Sequence, residues 1–169
     1  MKKSLQLFPA DEEFVRLFTK EKARLTKILG PMVTIEHIGS TAVSGLGGKG
    51  IVDIMVGVEL ASELNPTASK LIEHGYFPDE DNDTPSDRIF LASKEHDSTL
   101  GDYHLHIVVR NNDEWMRLNF FRDELIRNSK LRDEYMKLKK GLFVSTGADR
   151  EKYKKQKNEF IRNVLKEMK

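Results

Sequence analysis

The sequence predicts an α+β domain, a small β-sheet followed by a helical C-terminal part that begins at about residue 112. Three observations carry this. Residues 51–58 are a nearly continuous apolar run, the pattern of a central strand buried on both faces. Two further stretches, 33–38 and 103–110, are rich in β-branched and aromatic residues in strand-like alternation. From Asn112 onward the apolar residues recur at helical spacing. At 169 residues the chain has the length of one ordinary domain, and residues 1–169 are read as one unit.

The elements follow in order. Pro9-Ala10-Asp11-Glu12-Glu13 starts a helix, with acids near the positive end of its dipole. Phe14, Leu17, Phe18, Leu25, Ile28 and Leu29 follow at helical spacing, with Ala23 less regular, and Gly30-Pro31 ends the run. In the strand 33–38, Val33, Ile35 and His37 face one way and Thr34, Glu36 and Ile38 the other. Residues 40–44 form a short helical turn, and 46–50 are irregular before the central strand. Residues 59–74 are helical, with a break at Asn65-Pro66 and a stop at Gly75. Tyr76-Phe77 opens an edge strand.

Residues 79–87 are an acidic loop. Asp79, Asp81 and Asp83 have the spacing of a calcium loop, but Thr84-Pro85 stands where glycine is needed and Phe90 where the final glutamate is needed, so that reading fails. Residues 88–92 form a strand. In 103–110, Tyr103, Leu105, Ile107 and Val109 face one side, and His104, His106, Val108 and Arg110 the other. Asn112-Asp113-Glu114 caps a long helix with Trp115, Leu118, Phe121, Leu125 and Ile126 on its apolar side. Trp115 therefore reads as core and not as a base-stacking residue. A further helix carries Leu131, Tyr135, Leu138 and Leu142. Gly147-Ala148-Asp149 opens the last one, which buries Tyr153, Phe160, Ile161, Val164 and Leu165.

Composition narrows the function. No apolar run approaches the roughly 18 residues of a membrane span. The basic N-terminus meets Pro9 and Asp11 too early for a signal peptide, so a cytoplasmic location is expected. With no cysteine there is neither a disulfide framework nor a thiolate metal site. The net charge of +1 argues against long duplex nucleic acid as a partner. The charge is uneven, however. Residues 130–169 hold 13 Lys and Arg against 6 Asp and Glu, net +7, whereas residues 1–129 hold 15 against 21, net −6. A basic C-terminal part can face phosphate or simply be a solvated helix face.

The chemistry concentrates between His37 and Asp53. Six of the eleven glycines lie between positions 39 and 57, so the loop there is built for unusual backbone. Gly45-Leu46-Gly47-Gly48-Lys49-Gly50 matches a dinucleotide fingerprint by letter, but a strand follows it where a helix is required. A Walker loop is excluded by Val43 and Gly50. The remaining reading starts at Gly39-Ser40. A strand ending in Gly-Ser before a short helical turn can set backbone N–H groups and the hydroxyls of Ser40 and Thr41 against a phosphate, although Ser40 and Thr41 also serve as helix caps. The next strand then delivers Asp53. A carboxylate beside a phosphate is unfavourable unless a divalent cation bridges them, which points to Mg²⁺ or another divalent metal. Lys49, between the turn and Asp53, is a candidate to neutralise phosphate charge. His104 and His106 leave the same strand face and, with Asp53, form a candidate 2-His-1-carboxylate metal set. His37 reads equally well as a core histidine. Arg88, Arg122, Lys139 and Lys157 are candidate phosphate contacts.

His37-Ile38-Gly39-Ser40-Thr41-Ala42-Val43, Gly45-Leu46, Lys49 and Ile51-Val52-Asp53-Ile54 resemble the signature of the GrpB-like family, a branch of the nucleotidyltransferase superfamily that includes DNA polymerase β. The resemblance continues through His104-Leu105-His106, Phe121-Arg122-Asp123, Tyr135 to Leu138, and Tyr153 through Lys157 to Ile161. It implies a mixed sheet backed by helices in two layers, with the active-site analogue at the Gly-Ser turn and the strand after it. The superfamily pattern has two acids, one residue apart, on that strand. Here only Asp53 is acidic, and neither Ile51 nor Met55 can replace the second acid. The expectation is a nucleotidyltransferase-like protein that uses a nucleoside triphosphate and a divalent metal, with Asp53 and Lys49 in the catalytic roles. The alternatives are a non-catalytic module for a small nucleotide or phosphorylated metabolite, and a metal phosphoesterase built on His104, His106 and Asp53.

Overall fold

The computed structural model describes residues 12–78, 87–94, 101–146 and 150–169. Pro9 to Asp11, the acidic loop with Asp79, Asp81 and Asp83, and Gly147-Ala148-Asp149 lie outside the described residues.

The elements are α1 (Glu12–Leu29), β1 (Thr34–Ile38), a 3-10 turn (Ser40–Ala42), β2 (Val52–Val58), a 3-10 turn (Ala61–Glu63), α2 (Leu64–Glu73), β3 (Phe77–Pro78), β4 (Arg88–Ala92), β5 (Tyr103–Val109), α3 (Asp113–Arg127), α4 (Ser129–Thr146) and α5 (Arg150–Leu165). The break expected at Asn65-Pro66 falls a few residues earlier. The Glu63 carboxylate accepts the Glu59 and Leu60 N–H groups at 3.0 and 2.8 Å, closing the 3-10 turn. Pro66 then lies in the first turn of α2, where its missing N–H leaves no helical bond unmade.

The five strands run in the order β1-β2-β5-β4-β3. β2 pairs parallel with β5, and every other pairing is antiparallel, so the sheet is mixed as expected. Period-two alternation sorts its two faces. Ile35, Val52, Ile54, Val56, Val58, Leu91, Tyr103, Leu105 and Ile107 form the main core with Phe14, Leu17 and Leu25 of α1 and Ala68 and Leu71 of α2. Each large side chain buried there contributes about 1.5–3 kcal/mol. The opposite face carries Ile38, Met55 and Val108, which pack against Trp115 and Leu118 of α3.

Gly57 lets α3 come close, because a Cβ there would stand 2.5 Å from the Trp115 ring. Farther along, Val43 and Leu46 of the glycine-rich segment join Leu125, Tyr135, Phe121, Leu131, Leu138 and Phe160 in a second cluster. The loop is thus anchored to the C-terminal helices by its own apolar residues.

Two local expectations change, and one residue not singled out by the sequence is buried. Ala23 is exposed, since it lies off the α1 stripe. Ile126 is 51% exposed, because α3 turns Leu125 and not its neighbour inward. Glu21, unremarkable by spacing, is buried at 4% exposure, where it accepts a hydrogen bond from the Tyr76 hydroxyl and pairs with Arg24 at 3.0 Å. Among the described residues no helix is long and apolar enough to cross a membrane.

Candidate functional site

The site begins where β1 ends. Gly39 has φ +72° and ψ −171°, a conformation essentially reserved for glycine. A Cβ at Gly39 would lie 2.8 Å from Asp53 Oδ2, so the turn sits directly on the carboxylate. The antiparallel register sets this up by placing Ile38 opposite Asp53. Ser40, Thr41 and Ala42 then form a single 3-10 turn. Thr41 is buried, and its Oγ1 lies 3.0 Å from His37 Nε2. The His37 ring stacks on Phe18 with centroids 4.6 Å apart. Burial, reinforced by the charge of Arg122 and opposed by Asp53, lowers the His37 pKa to about 4. His37 is therefore a neutral packing residue that braces the turn.

The glycine-rich loop folds back over this turn. A Cβ at Gly48 would stand 2.8 Å from Ser40 Oγ, so the second segment closes on the first. Gly47, Gly48 and Gly50 are buried. Lys139 of α4, 4% exposed, donates to the Gly47 carbonyl at 3.2 Å and lies 5.4 Å from the Tyr135 ring centroid. Lys49 places its Nζ 4.4 Å from the centroid of Tyr153 on α5. Lys157, one turn along α5, acts electrostatically on both Lys139 and Tyr153.

Burial, then the neighbouring charges of Lys157 and Lys49, push the Lys139 amine down to about 7, against an upward pull from Asp53. Tyr135 is raised by burial and by the Asp53 charge. Lys49 of the loop and Lys157 of α5 thus both act on Lys139 of α4, as does Asp53.

Asp53 is also held from its other side. The β2–β5 register sets Asp53 opposite His104 and Met55 opposite His106. His106 Nε2 lies 3.2 Å from Asp53 Oδ1, and His104 Nδ1 lies 3.6 Å from the same oxygen. Burial opposes the charged carboxylate, but hydrogen bonding and charge from His104 and His106 override it and hold Asp53 well below the usual carboxylate range. Burial lowers the His106 pKa, with Asp53 opposing and the Arg88 and His104 charges adding to the fall. The Nε2–H of His106 faces the carboxylate, and its Nδ1 is buried without a hydrogen-bond partner among the described residues. Phe90 meets both histidine rings edge-on, at 4.9 and 5.1 Å, and fixes their planes.

The sequence-predicted residues divide clearly. Gly39, Ser40, Thr41 and Asp53 meet at the turn, Lys49 lies on the adjoining loop, and Lys157 acts electrostatically on Lys139. His104 and His106 also reach Asp53, but both address one carboxylate oxygen. Among the described residues no group of three His, Asp or Glu side chains converges as a metal-binding set. Arg88 and Arg122 are engaged elsewhere. Arg88 Nη1 lies 2.7 Å from Glu114 Oε1, with both side chains largely buried. Arg122 bonds Glu36 at 2.9 Å, the His37 carbonyl at 3.1 Å and Asp123 at 2.8 Å, clamping α3 to β1. Each is an internal tie. Tyr135 and Tyr153, which line the lysine group, read as helix core by spacing. Only the tertiary fold brings them to the turn.

The GrpB protein family model matches residues 4–167. The glutamate-rich protein GrpB of Alkalihalophilus pseudofirmus is 33% identical over 159 residues, covering 93% of this chain and 91% of that protein. YqkA of Bacillus subtilis is 26% identical over 164 residues, but this chain spans only 47% of it. The crystal structure of GrpB from Enterococcus faecalis superposes with a TM-score of 0.79 at 27% identity, covering 95% of this chain and 98% of that one. More distantly, a cytoplasmic RNA terminal U-transferase matches with a TM-score of 0.51 at 17% identity, over 79% of this chain and 42% of that one. The RNA terminal uridylyl transferase Cid1 matches at 0.50 and 14% identity, over 79% and 40%. At those identities the likeness is one of fold. With the family model spanning nearly its whole length, the chain belongs to the GrpB family, a branch with the nucleotidyltransferase-like fold.

Proposed function

We propose that the protein binds the phosphate groups of a small nucleotide or phosphorylated metabolite between the Gly39–Ser40 turn and the lysines Lys49, Lys139 and Lys157. The observation that carries this reading is the convergence of those lysines. Burying Lys139 beside two like charges is costly, and an anion offsets that cost. Ser40 contributes a hydroxyl at the turn, Thr41 is braced by His37, and Asp53 marks the edge of the site. A soluble phosphorylated ligand also suits the cytoplasmic location expected from the sequence.

Isothermal titration with ATP, UTP and inorganic pyrophosphate tests it. The expected dissociation constant is on the order of 100 μM, about 5.5 kcal/mol. Lys139→Met and Lys157→Met should each weaken binding about tenfold, the loss of one charge-assisted contact. Absence of saturable binding by any of the three probes would sink the reading.

Nucleotidyl transfer from a nucleoside triphosphate with a divalent metal, Asp53 and Lys49 in the catalytic roles, is the second reading. The fold shared with RNA terminal U-transferases favours it. It requires pyrophosphate release from a labelled triphosphate that disappears in Asp53→Asn.

A further inference from the structure

The superfamily's nucleotidyl-transfer chemistry uses magnesium held by paired acids, and the donors beside Asp53 do not fit that ion. Magnesium takes an octahedron of hard oxygen ligands, usually anchored by one or two carboxylates together with water and phosphate. On this sheet face the residue two positions after Asp53 is Met55, which is fully buried beneath Trp115 and Leu118. The parallel neighbour β5 offers imidazoles, His104 and His106, in place of acids. Both are directed at Asp53 Oδ1, at 3.6 and 3.2 Å, and Oδ2 lies beneath the Gly39 turn. Oδ1 is thus taken up by the two imidazoles, no second acid stands beside it on the strand, and the Asp53 side chain keeps 31% of its surface exposed.

Positive charge is supplied in another form. Lys139 of α4 reaches the Gly47 carbonyl of the glycine loop, Lys49 of that loop lies over Tyr153 of α5, and Lys157 of α5 acts electrostatically on Lys139. Of the charged groups acting most strongly on Lys139, two are lysines and one is an acid, Asp53.

We propose that this site takes its diphosphate or triphosphate chain free of metal, with the ammonium groups of Lys49, Lys139 and Lys157 in the electrostatic role of the magnesium ions. The inference rests on the phosphate-binding reading above and specifies the ionic form of its ligand. A free polyphosphate carries more negative charge than its magnesium complex and so matches a cluster of ammonium groups better. Asp53 then acts as a boundary charge that orders the turn and its histidines. It does not bridge to the ligand.

The test is isothermal titration of the full chain with ADP, ATP and inorganic pyrophosphate, once in EDTA and once in excess magnesium, for wild type and Asp53→Asn. Wild type should bind in EDTA, and excess magnesium should weaken apparent affinity by about threefold or more by sequestering the free chain. Asp53→Asn keeps a hydrogen-bonding side chain at that position and removes one negative charge, so it should bind as tightly or more tightly in EDTA. The unfolding transition of the variant confirms that it is folded, and the wild-type comparison stands without it. Binding that appears only with magnesium and vanishes in Asp53→Asn overturns this inference and leaves the phosphate-binding reading intact. No binding by any probe in either condition overturns both.

Discussion

Gly39 shows how one backbone position ties the turn to the acid. Its positive φ and the 2.8 Å separation of a would-be Cβ from Asp53 Oδ2 act together. Gly39→Ala should cost about 1–3 kcal/mol of stability in urea unfolding and lower phosphate affinity, because both turn and carboxylate must move. Wild-type stability and affinity in that variant would separate the turn from the acid.

Lys139 pulls the other way. Its folded pKa of about 7 lies below an unfolded value of about 10.4. Between those values the unfolded chain binds a proton that the folded chain lacks, so stability rises as pH climbs from about 7 to about 10. The cost of burying the charge is fully present below about pH 7. Lys139→Met should therefore raise the urea midpoint at pH about 6, with the difference shrinking toward pH about 10, while weakening ligand binding. A residue retained at a stability cost is the mark of a functional site, and a midpoint unchanged at every pH would argue that Lys139 is not strained. Tyr76 has the opposite sign. Its phenol is raised by burial and by Glu21, so its contribution is full below an unfolded value of about 10 and is lost as pH rises beyond that.

At the scale of elements, α3 is held by two devices. Trp115 packs over Gly57, and Arg122 reaches Glu36 and the His37 carbonyl. Gly57→Ala should force α3 outward and cost about 1–3 kcal/mol, read as a lower thermal midpoint. Arg122→Ala should cost less, about 0.5–1.5 kcal/mol, because Glu36 is partly solvated, with phosphate affinity changed less than by Lys139→Met. The reverse ranking in affinity would make Arg122 a ligand contact after all.

These elements also mark what was legible beforehand. Strand alternation alone placed His104 and His106 on one face of β5, and the apolar run of β2 isolated Asp53 as an anomaly. Periodicity could not place Arg88 or Arg122. An arginine near a glycine-rich turn reads as a phosphate contact until its internal partners, Glu114 and Glu36, are located in space. Glu21 was missed for the same reason, because a single charge on a helix carries no sign of the tyrosine 55 residues later that satisfies it.

For the whole molecule, the class and element order followed from the sequence because each strand had its own pattern and each helix its own stripe. The packing of the C-terminal helices against the glycine loop did not, since it depends on Val43 and Leu46 meeting Leu125, Tyr135 and Phe160 across the chain. That packing explains the position of the basic C-terminal part. The net +7 of residues 130–169 includes Lys139, which reaches the Gly47 carbonyl, and Lys157, which acts on it electrostatically. It also makes the site an assembly of two sequence-distant parts, so loosening α4 and α5 should abolish ligand binding before it unfolds the sheet.

The most direct measurement is amide chemical-shift mapping of the full chain titrated with ATP. The account predicts saturable shifts concentrated at Gly39 to Thr41, Gly47 to Asp53 and around Lys139 and Lys157. Shifts confined to other surfaces, such as the cleft lined by Leu29, Met32, Val58 and Lys70, or no saturable shifts, would contradict it.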